Sequence, residues 1–216
     1  MGLGGSATSD CGRGMLKALE EHFGHIPEQL DITVASDVTN PLYGPDGAAA
    51  VFGPQKGATG EMVDILDRQA EDFAREAAAR HGYDRSHEPG AGAAGGLGYA
   101  FMQFLGATCR PGADLLLETI GFDDFLSGTS LVITGEGAAD KQTLMGKLPF
   151  RILQHALRHN VETLLLAGKV SDEQELFRAG FHRIECINPA GIPLETALRK
   201  DFAAARLAET AAKVLS

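Results

Sequence analysis

The sequence predicts an α/β protein built on parallel sheet, and three observations carry that prediction. From Pro149 onward helical patterns alternate with short apolar runs, the rhythm of strand–helix–strand units whose sheet is covered on both faces. The runs Ser130–Thr134 and Thr163–Leu166 read as buried strands rather than exposed ones. A chain of 216 residues that is 44% hydrophobic and 22% charged can also bury a substantial core, which excludes wholesale disorder.

In chain order, Ser9 or Asp10 caps a first helix running through about Phe23, with Met15, Leu19 and Phe23 on one face and Gly24 as its stop. Asp31–Ala35 forms a short strand. It enters Ser36–Pro45, where proline and glycine density forces a long ordered loop. The next helix, Thr59 to about Arg80, places Met62, Ile65, Leu66, Phe73 and Ala77 along one stripe and charges on the other face, a solvated amphipathic helix without a catalytic message. The glycine-rich segment Pro89–Gly98 leads into an apolar helix, Tyr99–Leu105; its small residues allow close backbone packing or close approach of a ligand. Pro111 opens another helix ahead of Leu115, Leu116, Leu117 and Ile120. Strand Ser130–Thr134 ends at a second glycine turn. Beyond it come a helix to Asn160, strand Thr163–Leu166, a helix opened by Ser171 with Gln174 in capping-box register, strand Arg183–Ile187 and a closing helix from about Ala203 to Leu215. The domain boundary is expected between Gly128 and Pro149 and placed at 130/131.

A net charge of -10 and the lack of any Lys/Arg run argue against nucleic-acid or anionic-membrane partners. Cys11, Cys109 and Cys186 show neither disulfide nor zinc spacing and read as free thiols of a reducing compartment, the cytoplasm. No run approaches a membrane span and no secretory signal is visible. The histidines lack metal-binding spacing, and G-x-S-x-G is missing.

Chemistry is concentrated in two glycine-rich segments. Gly2-Leu3-Gly4-Gly5-Ser6-Ala7-Thr8-Ser9-Asp10 offers consecutive amides and hydroxyls ahead of a helix N-terminus, the composition of an anion cradle; a helix-capping turn is the competing reading. Gly2-x-Gly4-x-x-Ala7 and Gly90-x-Gly92-x-x-Gly95 both satisfy a dinucleotide fingerprint, yet neither follows a predicted strand, and no G-x-x-x-x-G-K-[ST] loop exists. In Ile133–Thr143, Glu136 and Asp140 flank a turn after a buried strand, where carboxylates can hold magnesium, accept a hydroxyl proton or simply cap the next helix. Asp37 and Asn40 offer further oxygen ligands, or an Asx turn before Pro41. Lys56, Lys141, Lys147 and Lys169 lie in glycine-containing loops from which a lysine reaches phosphate.

These segments together resemble the bacterial type I glycerate kinases. The matching stretches are Gly2–Asp10, the nearly unbroken Asp37–Ala58, Gly90–Gly98, and Ile133–Thr143 followed by Gly146-Lys147. The resemblance implies ATP- and Mg2+-dependent phosphorylation of glycerate at the 2-hydroxyl, with 3-phosphoglycerate the less favoured product. It also implies two α/β domains of glycerate kinase type. Residues 1–130 would form the inserted, substrate-side domain with the glycine loops, and 131–216 the C-terminal part of a Rossmann-like parallel-sheet domain whose N-terminal part, with its A-P-D-S-F-K-G-S-like motif, is missing. Departures are Ala138 for arginine, Lys141 for glycine, Ser9 for asparagine and Cys11 for glycine. The candidate catalytic and metal-binding residues are Asp37, Glu136 and Asp140. Gly4, Gly5, Ser6, Thr8, Asp10, Asn40, Lys56, Gly92, Gly95, Gly96, Gln142 and Lys147 are the candidates around phosphate and substrate. A non-catalytic remnant that keeps the anion site is the alternative, and a homodimer is compatible with either.

Overall fold

The structure, a computed structural model, describes residues 1–27 and 30–215. It is α/β with parallel pairing throughout, and it divides into two compact units, Met1–Leu115 and Leu116–Ser216. The division lies earlier than the expected 130/131 boundary. Leu126 forms a buried cluster with Ala156 and Val161, and Phe122 and Val132 pack on it, so the residues before 130 are tied to the second unit.

The first unit runs through α1 (Arg13–Phe23), β1 (Thr33–Ala35), α2 (Ala48–Phe52), a 3-10 turn at Pro54–Lys56, α3 (Gly60–His81), α4 (Ala93–Leu105), β2 (Thr108–Arg110) and into α5 (Gly112–Thr119). β1 pairs in parallel with β2, Val34 opposite Cys109. On the other side of β1, the Leu3 amide donates to the Ala35 carbonyl at 2.9 Å and the Ala35 amide to Met1 at 2.7 Å. The N-terminal glycine loop therefore does follow an extended, sheet-bonded segment, contrary to expectation. A three-residue run with glycine in it carries no strand signal of its own; only pairing with β1 makes it extended.

The core of this unit lies between α3 and α4, where Tyr99, Met102 and Phe104 meet Ala70, Ala74 and Ala77. Phe73 stacks on Phe104 with centroids 5.5 Å apart. The alanines let the helices approach closely, so they, and not Met62 and Ile65, form the buried stripe; Met62 and Ile65 are 53% and 45% exposed. Thr59 caps α3 by accepting the Met62 amide, as a threonine ahead of a helix does. α4 starts earlier than expected, at Ala93, and its first turn is broken by left-handed residues Ala94, Gly95 and Gly96.

The second unit comprises α6 (Phe122–Leu126), β3 (Leu131–Ala139), a 3-10 turn at Thr143–Met145, α7 (Leu148–Arg158), β4 (Glu162–Val170), α8 (Glu173–Ala179), β5 (Arg183–Cys186), α9 (Leu194–Ala197) and α10 (Lys200–Leu215). Its three strands are parallel in the order β3-β4-β5. The buried cluster of Leu153, Leu165, Leu176 and Phe181 joins β4 to α7 and α8. Two expectations change here. The expected turn after Thr134 is strand: Gly135 pairs with Leu166 and Glu136 with Ala167. A Cβ at Gly135 would lie 2.6 Å from the Leu166 carbonyl, so this glycine serves close strand approach rather than a turn. Ser171 does not cap α8 either. Its amide donates to the Ala139 carbonyl at 2.8 Å and the helix starts at Glu173, after a left-handed Asp172.

Candidate functional site

In the first unit the glycine loop Gly4–Ser9 leaves the extended segment beside β1. None of its amides donates to an acceptor among the described residues, and a Cβ at Gly4 or Gly5 would meet nothing within 4 Å. Lys56 reaches the loop from the 3-10 turn. Its Nζ donates to Ser6 Oγ at 2.9 Å and to the Thr8 carbonyl at 2.8 Å, with Ser9 Oγ at 3.5 Å. Burial of the half-buried ammonium lowers its pKa below the ordinary lysine value. Gly4, Gly5, Ser6 and Lys56, with Gly95, line a hollow of about 400 Å³. Unpartnered amides and a cation on one wall are the groups that bind phosphate oxygens.

Several predicted site residues turn out to do structural work. The Asp10 carboxylate accepts the Gly12 amide at 3.1 Å and the Gly14 amide at 3.0 Å, so it fills the N-terminus of α1 that a phosphate would need. Asn40 donates to the Asp46 carbonyl at 2.8 Å and closes the loop after β1. Gly92, Gly95 and Gly96 are buried against backbone: a Cβ would lie 2.3 Å from the Pro41 carbonyl, 2.0 Å from the Thr8 carbonyl and 2.8 Å from Cys11 Cα respectively. Gly95 and Gly96 pack against the N-terminal segment and Gly92 against the loop after β1, although Gly95 keeps one edge on the hollow. Exposed Asp37, at the end of β1, accepts the Gly112 amide at 2.9 Å and so anchors the start of α5.

In the second unit, Glu136 is 14% exposed in its side chain. One oxygen accepts from Thr143 Oγ1 at 2.5 Å and the other lies 3.5 Å from Lys147 Nζ. Thr143, fully buried, also accepts the Asp140 amide at 3.1 Å, while Asp140 Oδ1 accepts the Gln142 amide at 2.7 Å. Glu136, Asp140 and Lys147 are thus one network at the end of β3, and the exposed Gln142 side chain stands outside it. Sequence reasoning missed Thr143, the hub. Its signal was the D-x-x-T spacing, in which a threonine hydroxyl turns back to the aspartate amide. Among the described residues no group of three His, Cys, Asp or Glu side chains gathers as if to hold a metal alone. Magnesium does not require one, because it binds through one or two carboxylates plus phosphate oxygens and water.

A profile of the glycerate kinase family matches residues 21–216. The chain belongs to the glycerate kinase family. Glycerate kinase of Bacillus subtilis (strain 168) is 38% identical over 224 residues, covering 91% of this chain and 59% of its own length. Glycerate 2-kinase of Escherichia coli (strain K12) is 36% identical over 199 residues, 80% of this chain and 52% of its own. The crystal structure of a protein assigned as glycerate kinase 2 from Salmonella typhimurium LT2 superposes with a TM-score of 0.72 at 33% identity, covering 98% of this chain and 63% of that one. The chain thus spans little more than half the length of the curated relatives it matches.

Proposed function

We propose that this chain carries the glycerate kinase reaction, transferring the γ-phosphoryl group of ATP to the 2-hydroxyl of D-glycerate to give 2-phosphoglycerate. The observation that carries the reading is the Lys56 ammonium held against a loop of unpartnered amides in an otherwise acidic chain. Phosphoryl transfer asks a protein chiefly for positioning and charge neutralisation, and this wall offers both. Asp140, in the Glu136 network of the second unit, is a carboxylate that would hold Mg2+, which when bound neutralises charge on the phosphates. In the transfer, the glycerate 2-oxygen bonds to the γ-phosphorus as the bond to the bridging oxygen of ADP breaks. The hydroxyl proton passes to a carboxylate, for which Glu136, oriented by Thr143 and Lys147, is the choice. A cytoplasmic setting, where ATP is plentiful and Cys11, Cys109 and Cys186 stay free thiols, goes with this reading.

The test is phosphorus NMR of the chain with ATP, Mg2+ and D-glycerate. The expected product signal is a doublet, from coupling to the single proton at C2; a triplet would identify 3-phosphoglycerate. Replacing Lys56→Met is expected to slow the reaction on the order of 100-fold. A folded chain that forms neither product overturns the proposal.

A further inference from the structure

The apolar face that α3 leaves exposed lies directly against the phosphate wall. Met62, Ile65 and Leu66 line a hollow of about 560 Å³ together with Gln69, Ser9 and Lys56. Lys56 lines the 400 Å³ hollow of Gly4, Gly5 and Ser6 as well, so the two spaces meet at its side chain. One is walled by amides and an ammonium, the other by aliphatic side chains on a helix otherwise rich in charge.

We propose that the Met62–Ile65–Leu66 hollow seats the nucleoside half of the phosphoryl donor, its phosphates passing Lys56 into the glycine loop. The inference rests on the kinase reading and assigns a place within it. A nucleotide has the required polarity, a flat, weakly hydrated base at one end and a polyanion at the other. Glycerate does not: its three carbons carry a carboxylate and two hydroxyls and gain nothing from an aliphatic wall. The volume is within the range of ligand pockets, and such pockets pair apolar walls with a few polar groups that fix orientation. Gln69 supplies such a group, an amide able both to donate to and to accept from a base edge. Solvent-facing Met62 and Ile65 contribute nothing to the core of α3, which Ala70, Ala74 and Ala77 form.

The experiment follows the methyl resonance of Met62 in the methionine-labelled chain, assigned with Met62→Leu. ATP is expected to shift it upfield through the ring current of the base, whereas inorganic tripolyphosphate and D-glycerate leave it in place. Ile65→Gln, at an exposed helical position, is expected to weaken ATP about tenfold, the worth of one modest apolar contact, with tripolyphosphate affinity unchanged. A Met62 signal that ignores saturating ATP, or an Ile65→Gln chain that binds ATP as before, overturns the subsite. Product formation with a silent Met62 would leave the kinase reading standing and remove the subsite. A shifted Met62 without product would do the reverse, and a chain that does not bind ATP removes both.

Discussion

Two glycine-rich segments of the first unit, Gly4–Ser9 and Gly90–Gly98, look alike in composition and do opposite things. In the first, added side chains at Gly4 and Gly5 would stand in open space, and the amides are unpartnered among the described residues. In the second, nearly every glycine is backed by another stretch of backbone, and Gly95 presses on the very loop that the first segment forms. The Gly95 carbonyl accepts the Cys11 amide at 3.0 Å, which completes the clamp. Glycine thus stands once beside open space and once where it leaves room for the protein's own backbone. What separates the uses is whether a neighbouring strand of backbone occupies the space a Cβ would take.

The comparison breaks first at Gly95. Gly95→Ala puts a Cβ 2.0 Å from the Thr8 carbonyl at a φ of +68, and is expected to cost about 3 kcal/mol of stability in urea unfolding. A midpoint unchanged by this substitution would show that the second segment yields easily and is no clamp. Lys56 gives a smaller effect. Because the protonated amine binds the anion and burial lowers its pKa, affinity for tripolyphosphate should fall about tenfold on the alkaline side, beginning at lower pH than an ordinary lysine would give. Lys56→Arg, which keeps its charge, should flatten that profile; a profile already flat in the parent chain would detach Lys56 from phosphate. The smallest expected change is the stability of Gly4→Ala, within about 0.5 kcal/mol of the parent by the same unfolding measurement. A loss matching that of Gly95→Ala would make the two segments structurally equivalent.

Much of the fold was legible in the chain. Thr59 and Gly82 bound α3 where the periodicity places it, and the helix–strand alternation after Pro149 is there as parallel sheet. β2 was not foreseen, because Thr108-Cys109-Arg110 is too short to show a period and exists through its pairing with β1. The continuation of β3 through Gly135-Glu136-Gly137 is hidden in the sequence for a similar reason: glycine signals a turn locally, and only β4 beside it makes the strand. Of the candidate site, Lys56 and Ser6 lie 50 residues apart in the chain and are in contact, and Glu136 and Lys147 likewise meet. Asp10 and Asn40 carry oxygen and amide groups suited to a site, and those groups are spent on local backbone amides and carbonyls.

By itself the sequence determined the α/β class, most helix positions, the acidic surface and the family, since propensity, periodicity and motif order are local properties of the chain. Which glycines stay open, which carboxylates are already occupied and which apolar residues face a hollow instead of the core were decided only by tertiary structure. Each of those depends on what distant backbone is brought alongside, and no residue type encodes its neighbour across space.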